Sequence, residues 1–109
     1  MELNIDIVEE RNKSIVRLSG EIDAYTAPQL KEKLLPLTKI SGNDVEVDME
    51  FISYMDSTGL GVFISGLKSS KVNNSQLKII NLSDRVYRVF NITGLHEIMD
   101  LERINKVER

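Results

Sequence analysis

Residues 44–51 alternate strictly between acidic and apolar side chains, in the order Asp44-Val45-Glu46-Val47-Asp48-Met49-Glu50-Phe51. A period of two is typical of a β-strand, and here it predicts an apolar face that extends to Phe51 and an outer face of four carboxylates. Strands of doubly wound sheets are covered on both faces and are almost continuously apolar. The alternation therefore predicts a sheet with helices packed mainly on one face. We interpret the acidic row as the solvated face, with a docking surface for a basic partner as the alternative.

Three shorter segments predict the other strands of this sheet. Residues 3–8 and 14–19 alternate in the same way and are joined by a polar turn at 9–13, so they are expected to pair as a hairpin. Residues 77–80 form a fourth strand, and a last strand or short helix is expected within 95–104. Because of the hairpin, we expect a mixed sheet of four to five strands.

Three helices are predicted between and after the strands. The first begins at Thr26, which forms a capping-box pattern with Gln29. The second covers residues 58–72, and the third is capped by Ser83 and ends near Gly94. Each helix has apolar residues at helical spacing. These are Ala27, Leu30, Leu34 and Leu37 in the first helix, Leu60, Phe63, Ile64 and Leu67 in the second, and Val86, Val89 and Phe90 in the third.

Length and composition restrict the class of protein. The 109 residues predict a single α/β domain over residues 1–109. A net charge of -3 argues against a nucleic-acid partner, and no apolar run reaches the roughly 18 residues that span a membrane. The absence of cysteine excludes thiol chemistry, and a single histidine makes a zinc site uncommon. The amino terminus lacks the basic and apolar regions of a signal peptide. We therefore expect a cytoplasmic protein without a cofactor.

The candidate functional segment is Asp56-Ser57-Thr58-Gly59-Leu60-Gly61, at a predicted strand-to-helix junction. Such a serine can bind an anion, act as a nucleophile or accept a phosphoryl group. The dinucleotide fingerprint is excluded because Ile64 replaces its third glycine. The P-loop is excluded because Leu67 stands where a lysine is required, and Lys68, one residue later, is rotated by about 100° on a helix.

Catalysis by Ser57 would require a base within reach. The only imidazole is His96, which follows a predicted helix end and is interpreted as a surface or interface residue. Asp56 is not placed to act as a base, because neighbouring side chains diverge at a turn. The residues alone leave two interpretations of Ser57 open, a helix N-cap and a phosphorylation site. Arg85 and Arg88 on the third helix are interpreted as ordinary surface charges.

Three segments of the chain match a known family. They are Gly20-Glu21-Ile22-Asp23 with Thr26-Ala27-Pro28, Met55-Asp56-Ser57-Thr58-Gly59-Leu60-Gly61, and Asn91-Ile92-Thr93-Gly94-Leu95. With this spacing over nearly its whole length, the chain resembles the bacterial anti-sigma factor antagonists, which have a STAS domain. The match looks closest to the general-stress branch. A visible departure is residues 101–109, which are short for the family's full last helix.

The resemblance implies a protein-binding switch and not an enzyme. By this resemblance, the unphosphorylated protein binds a partner that is both an anti-sigma factor and a serine kinase, and a sigma factor is released. Phosphorylation of Ser57 by that kinase abolishes binding, and a metal-dependent serine phosphatase restores it. The implied partner-binding residues are Asp23, Asp56, Ser57, Thr58 and Gly59, with Thr58 as a weaker second acceptor.

Two other functions are weighed against this prediction. The first is a scaffold subunit of the same fold in a stress-sensing assembly, which would elute as a very large particle. The second is a small nucleotide-binding or hydrolytic enzyme that uses Ser57, which would respond to nucleotides in a thermal-shift assay.

Overall fold

The computed structural model describes residues 2–104 and contains one mixed sheet with three α-helices. Its strands lie side by side in chain order. The first two strands are antiparallel, and every later strand is parallel to its neighbour. The predicted fold class, with a mixed sheet of four to five strands, is confirmed. The elements are β1 (Leu3–Glu10), β2 (Lys13–Ile22), α1 (Ala27–Thr38), β3 (Asp44–Met55), α2 (Ser57–Val72), β4 (Gln76–Leu82), α3 (Asp84–Ile92), a 3₁₀ turn (Leu95–Glu97) and β5 (Asp100–Arg103).

The helices cover one face of the sheet, as the sequence predicts. Each parallel strand is added on the same side of the previous one, and crossover connections are right-handed, so successive helices fall on the same face. Helices α2 and α3 meet through Phe63 and Phe90, which are fully buried with ring centroids 5.7 Å apart. The buried face of β3 begins with Val45, Val47 and Met49, all fully buried.

The strict alternation of β3 breaks after Met49, and the predicted burial of Phe51 is wrong. Two β-bulges in β3 cause the break. β3 has one extra residue opposite the β2 segment from Arg17 to Ser19, and another opposite the step from Gly20 to Glu21. Phe51 is therefore turned outward and is 68% exposed. The residues that bury instead are Ile52 and Met55.

The outer face of the sheet carries ion pairs between neighbouring strands. Lys13 contacts Glu46 at 3.3 Å, and Arg17 contacts Asp48 at 3.9 Å. The Asp48 carboxylate also accepts a hydrogen bond of 3.0 Å from the Asn81 side chain. The two central carboxylates of the acidic row are thus partnered within the domain itself.

Side-chain hydrogen bonds show whether two of the predicted helix caps form. The Ser83 cap is confirmed, since its hydroxyl accepts a hydrogen bond of 3.2 Å from the Val86 N–H. The capping box at Thr26 and Gln29 is wrong. The Gln29 side chain donates to the Leu3 carbonyl at 3.2 Å, and the Thr26 hydroxyl donates to the Glu21 carbonyl, so both side chains stabilise contacts outside α1.

The carboxyl-terminal segment contains both elements that the sequence left open. A 3₁₀ turn follows Gly94, and β5 then pairs with β4 at the edge of the sheet. The sequence indicates that residues 101–109 are short for a full last helix. Residues 105–109 of this segment lie outside the described part of the chain. None of the helices within residues 2–104 is both long enough and apolar enough to cross a bilayer.

Candidate functional site

The junction between β3 and α2 is held by Asp56, which is the N-cap of α2. Its side chain accepts a hydrogen bond of 2.9 Å from the Thr58 N–H, and its carbonyl accepts one of 3.1 Å from the Gly59 N–H. Its own N–H donates to the Ile22 carbonyl of β2 at 3.2 Å. The interpretation of Ser57 as the N-cap is therefore wrong. Ser57 is the first residue of the helix and is exposed.

Gly59 brings the first turn of α2 close to the sheet. It is buried, and a Cβ atom there would lie 2.7 Å from the Met55 side chain and 2.9 Å from that of Ile22. Gly61 differs, because a Cβ atom there would have no neighbour within 4 Å. Gly59 thus allows the first turn of α2 to approach the sheet at the site. Its contact with a partner stays a prediction.

Asp23 orders the loop between β2 and α1. Its carboxylate accepts hydrogen bonds from the backbone N–H groups of Tyr25 (2.9 Å) and Thr26 (3.1 Å). The Asp23 N–H in turn donates to the Thr26 hydroxyl at 2.9 Å. Asp23 is only 7% exposed, so its first role is structural: it fixes the loop that carries the highly exposed Tyr25.

We expect Asp23→Ala to lower the free energy of unfolding by about 1–2 kcal/mol, because two backbone donors, one part-buried and one buried, lose their acceptor. Asp23→Asn is the matched control, since an amide oxygen can accept the same bonds; we expect it to lose less than half as much. Urea unfolding followed by circular dichroism measures both values. Equal losses in the two variants would contradict this assignment.

A surface cavity of about 640 Å³ lies beside the junction, at the carboxyl ends of β2 and β3. Carboxylates, two tyrosines and one guanidinium line it, from Glu21, Asp23, Tyr25, Tyr54, Asp56 and Arg85. The Oε1 atom of Glu21 is buried without a hydrogen-bond partner in residues 2–104.

A second groove of about 580 Å³ runs between α1 and α2. Its walls include Thr58 and Gly61 from α2 and the exposed Lys31 from α1. Ser57 thus follows a residue of the first cavity and precedes a residue of the second. The structure brings the predicted segment and Asp23 together at one end of the sheet.

Sequence reasoning missed three residues of the first cavity. Tyr25 is 87% exposed and Tyr54 is 43% exposed, and neither is part of a recognisable pattern. The sequence indicates an ordinary surface charge at Arg85, but this residue shares the cavity with Asp56. The one sequence signal for Tyr25 is an aromatic residue within a polar loop that carries part of the family motif.

His96 lies on the 3₁₀ turn and is not among the residues that line these two cavities. Its ring meets the edge of Tyr87 with centroids 6.4 Å apart, and its Nε2 atom is 3.9 Å from the Glu97 carboxylate. The Arg103 guanidinium lies over the Tyr87 ring, 4.6 Å from its centroid, and a hydrogen bond to Asp84 raises the pKa of Arg103. The imidazole is half-buried in a contact between the 3₁₀ turn and α3.

Comparison with known proteins identifies the family. A family model described as the STAS domain matches residues 4–108. The chain belongs to the STAS domain family. The anti-sigma-B factor antagonist of Bacillus subtilis (strain 168) is 46% identical to this STAS protein over 101 residues, which are 93% of this chain and 92% of that protein. This relative confirms the predicted resemblance to anti-sigma factor antagonists of the general-stress branch.

Solved structures of other proteins share the fold. An anti-sigma factor antagonist from Mycobacterium paratuberculosis superposes with a TM-score of 0.82 at 21% identity, covering 93% of this chain and 86% of that one. The phosphorylated form of the Bacillus cell fate determinant SpoIIAA gives a TM-score of 0.70 at 22% identity, with 90% of each chain covered. At these identities the likeness concerns the fold alone.

Proposed function

We propose that this STAS protein is an anti-sigma factor antagonist controlled by phosphorylation of Ser57. In its unphosphorylated form it binds an anti-sigma factor that is also a serine kinase, and a sigma factor is released. Phosphorylation of Ser57 by that kinase ends the binding, and a metal-dependent serine phosphatase restores it. The observation that carries the proposal is an exposed serine at the first position of α2, directly after a carboxylate that lines the cavity.

The geometry at Ser57 accommodates a phosphate without disturbing the fold. The first residues of a helix present free N–H groups and a partial positive charge, which favour a phosphate. The cap is made by Asp56, so modification of the neighbouring hydroxyl leaves the cap hydrogen bond to Thr58 in place. The domain can therefore change its charge and keep its shape.

The added charge acts on the interface. A phosphoserine carries nearly two negative charges at neutral pH, and here they would adjoin the Asp56 carboxylate. A partner that packs on this surface would have to remove water from both groups. A hundredfold loss of affinity requires about 2.7 kcal/mol, which lies within the range for like charges brought together at an interface.

The site supports regulated binding better than catalysis by the chain itself. The Asp56 carboxylate is engaged by the Thr58 N–H, and the His96 imidazole packs against Tyr87. The relative that is 46% identical is named an anti-sigma-B factor antagonist, and we assign this chain to the same class of regulatory binding proteins, acting in the cytoplasm.

Incubation with the anti-sigma factor kinase of the same organism and ATP tests the proposal. We expect one phosphate, located on Ser57 by mass spectrometry of proteolytic peptides, and no incorporation into Ser57→Ala. Thr58→Ala is the control for the neighbouring hydroxyl and should be phosphorylated like the unmodified protein. A phosphate at another position, or undiminished labelling of Ser57→Ala, would refute the site.

A further inference from the structure

We propose that Arg85 captures the phosphate on Ser57 at the rim of the cavity that Arg85 shares with Asp56. This inference rests on the proposed phosphorylation of Ser57. It adds a residue that no motif indicates, from an element that follows Ser57 by almost thirty positions in the chain.

The sheet topology places Arg85 at the same edge of the sheet as the proposed phosphorylation site. Strands β3 and β4 are parallel neighbours, so their carboxyl ends lie at the same edge of the sheet. Helix α2 starts after the first of these strands and α3 after the second. Arg85, in the first turn of α3, therefore lines the same cavity as Asp56, the residue directly before Ser57.

Arg85 has no partner of its own within residues 2–104. It is exposed, and no carboxylate of this part of the chain lies within ion-pair distance of its guanidinium, although Glu21, Asp23 and Asp56 line the same cavity. Arg103, by contrast, contacts Asp84 at 2.8 Å. The guanidinium of Arg85 is thus available to a new anion at the rim.

A phosphate on Ser57 is the anion that suits this guanidinium. Its charge is nearly twice that of a carboxylate, and the planar fork of arginine can donate two parallel hydrogen bonds to phosphate oxygens. The competing cation is Lys31, which lines the groove on the other side of the segment, next to Thr58. Lysine binds as a point charge, without the bidentate geometry. We therefore assign the phosphate to Arg85.

Capture by Arg85 would give the switch a steric component. A phosphate held by Arg85 would stand at the rim of the cavity, beside Asp56 and Tyr54. The partner would then meet an obstructed cavity mouth as well as an added negative charge.

Titration of the phosphate by ³¹P NMR tests the assignment directly. Phosphoserine is installed at position 57 of the full chain by nonsense suppression, so the kinase is not needed. The variants are Arg85→Gln, Lys31→Gln and the matched control Arg88→Gln. Arg88 is an exposed arginine of the same helix that lines a different cavity with Asp84 and Tyr87. Thermal unfolding of each variant checks that the domain is folded.

A nearby guanidinium favours the dianion, so its removal must raise the phosphate pKa from a normal value of about 6. We expect Arg85→Gln to raise it by about half a pH unit at low salt, and less at high salt, while Lys31→Gln and Arg88→Gln leave it unchanged. An unchanged pKa in Arg85→Gln, or an equal rise in Arg88→Gln, would overturn the assignment. Since phosphoserine is incorporated during translation and no kinase is used, these outcomes are separate from a failure of the kinase to modify Ser57.

Discussion

Replacement of Ser57 by aspartate is expected to weaken binding to the anti-sigma factor by at least about tenfold, whereas alanine should leave the affinity within about twofold. Aspartate adds one negative charge beside Asp56, and phosphoserine adds nearly two. We therefore expect phosphoserine at position 57 to weaken binding more than aspartate, by about a hundredfold. Isothermal titration calorimetry against the purified anti-sigma factor measures all three affinities.

Ser57→Asp is expected to change the charge of the surface without changing the stability of the domain. Because Asp56 caps α2, neither substitution at Ser57 removes the cap hydrogen bond, and both variants should unfold within about 0.5 kcal/mol of the unmodified protein. The matched control is Ser41→Asp, which adds the same charge at an exposed position before β3, at the opposite end of that strand. It should bind normally. Equal affinities for Ser57→Ala and Ser57→Asp would refute the switch.

The strands and helices could largely be predicted because their signals are local. Alternation indicated β3 as far as Met49, and helical spacing indicated all three helices. The bulges that expose Phe51 could not be predicted, because they depend on how many residues β2 supplies opposite β3. An unpaired residue in a β-bulge has no sequence signature that distinguishes it from a paired residue.

The start of α2 shows a second limit of sequence reasoning. Aspartate and serine are about equally good N-caps, so Asp56 and Ser57 could not be distinguished by type. The choice is made by contacts distant in sequence, since the Asp56 N–H is bound to the Ile22 carbonyl of β2. The same is true of Thr26, whose hydroxyl is used by the Asp23 loop. Both errors concern residues with several possible hydrogen-bond partners.

The candidate site was predictable in its contiguous part only. The segment from Asp56 to Gly59 is visible as a motif, and the family resemblance joins Asp23 to it. Arg85 reaches the same cavity because β4 lies next to β3, a fact that follows from strand order. The residues alone also left the use of Ser57 open, and the resemblance was needed to favour phosphorylation.

The close approach of α2 to the sheet leads to the largest expected effect on stability. In Gly59→Val, the Cβ atom would stand 2.7 Å from Met55 and 2.9 Å from Ile22, and the two methyl groups would need still more room. Met55 and Ile22 are themselves buried at the ends of their strands, so they cannot move away freely. We expect the free energy of unfolding to fall by about 3 kcal/mol, the upper part of the range for overpacked cores.

Gly61→Val is the matched control, because it introduces the same side chain two residues later in the same helix. A Cβ atom at Gly61 meets nothing within 4 Å, and valine is a slightly better helix former than glycine, so its stability should change by less than about 0.5 kcal/mol. Urea unfolding at 25 °C compares the two variants. Similar stabilities would show that the first turn of α2 is not held against the sheet at Gly59. The position of Ser57 would then have to be fixed by the Asp56 cap alone.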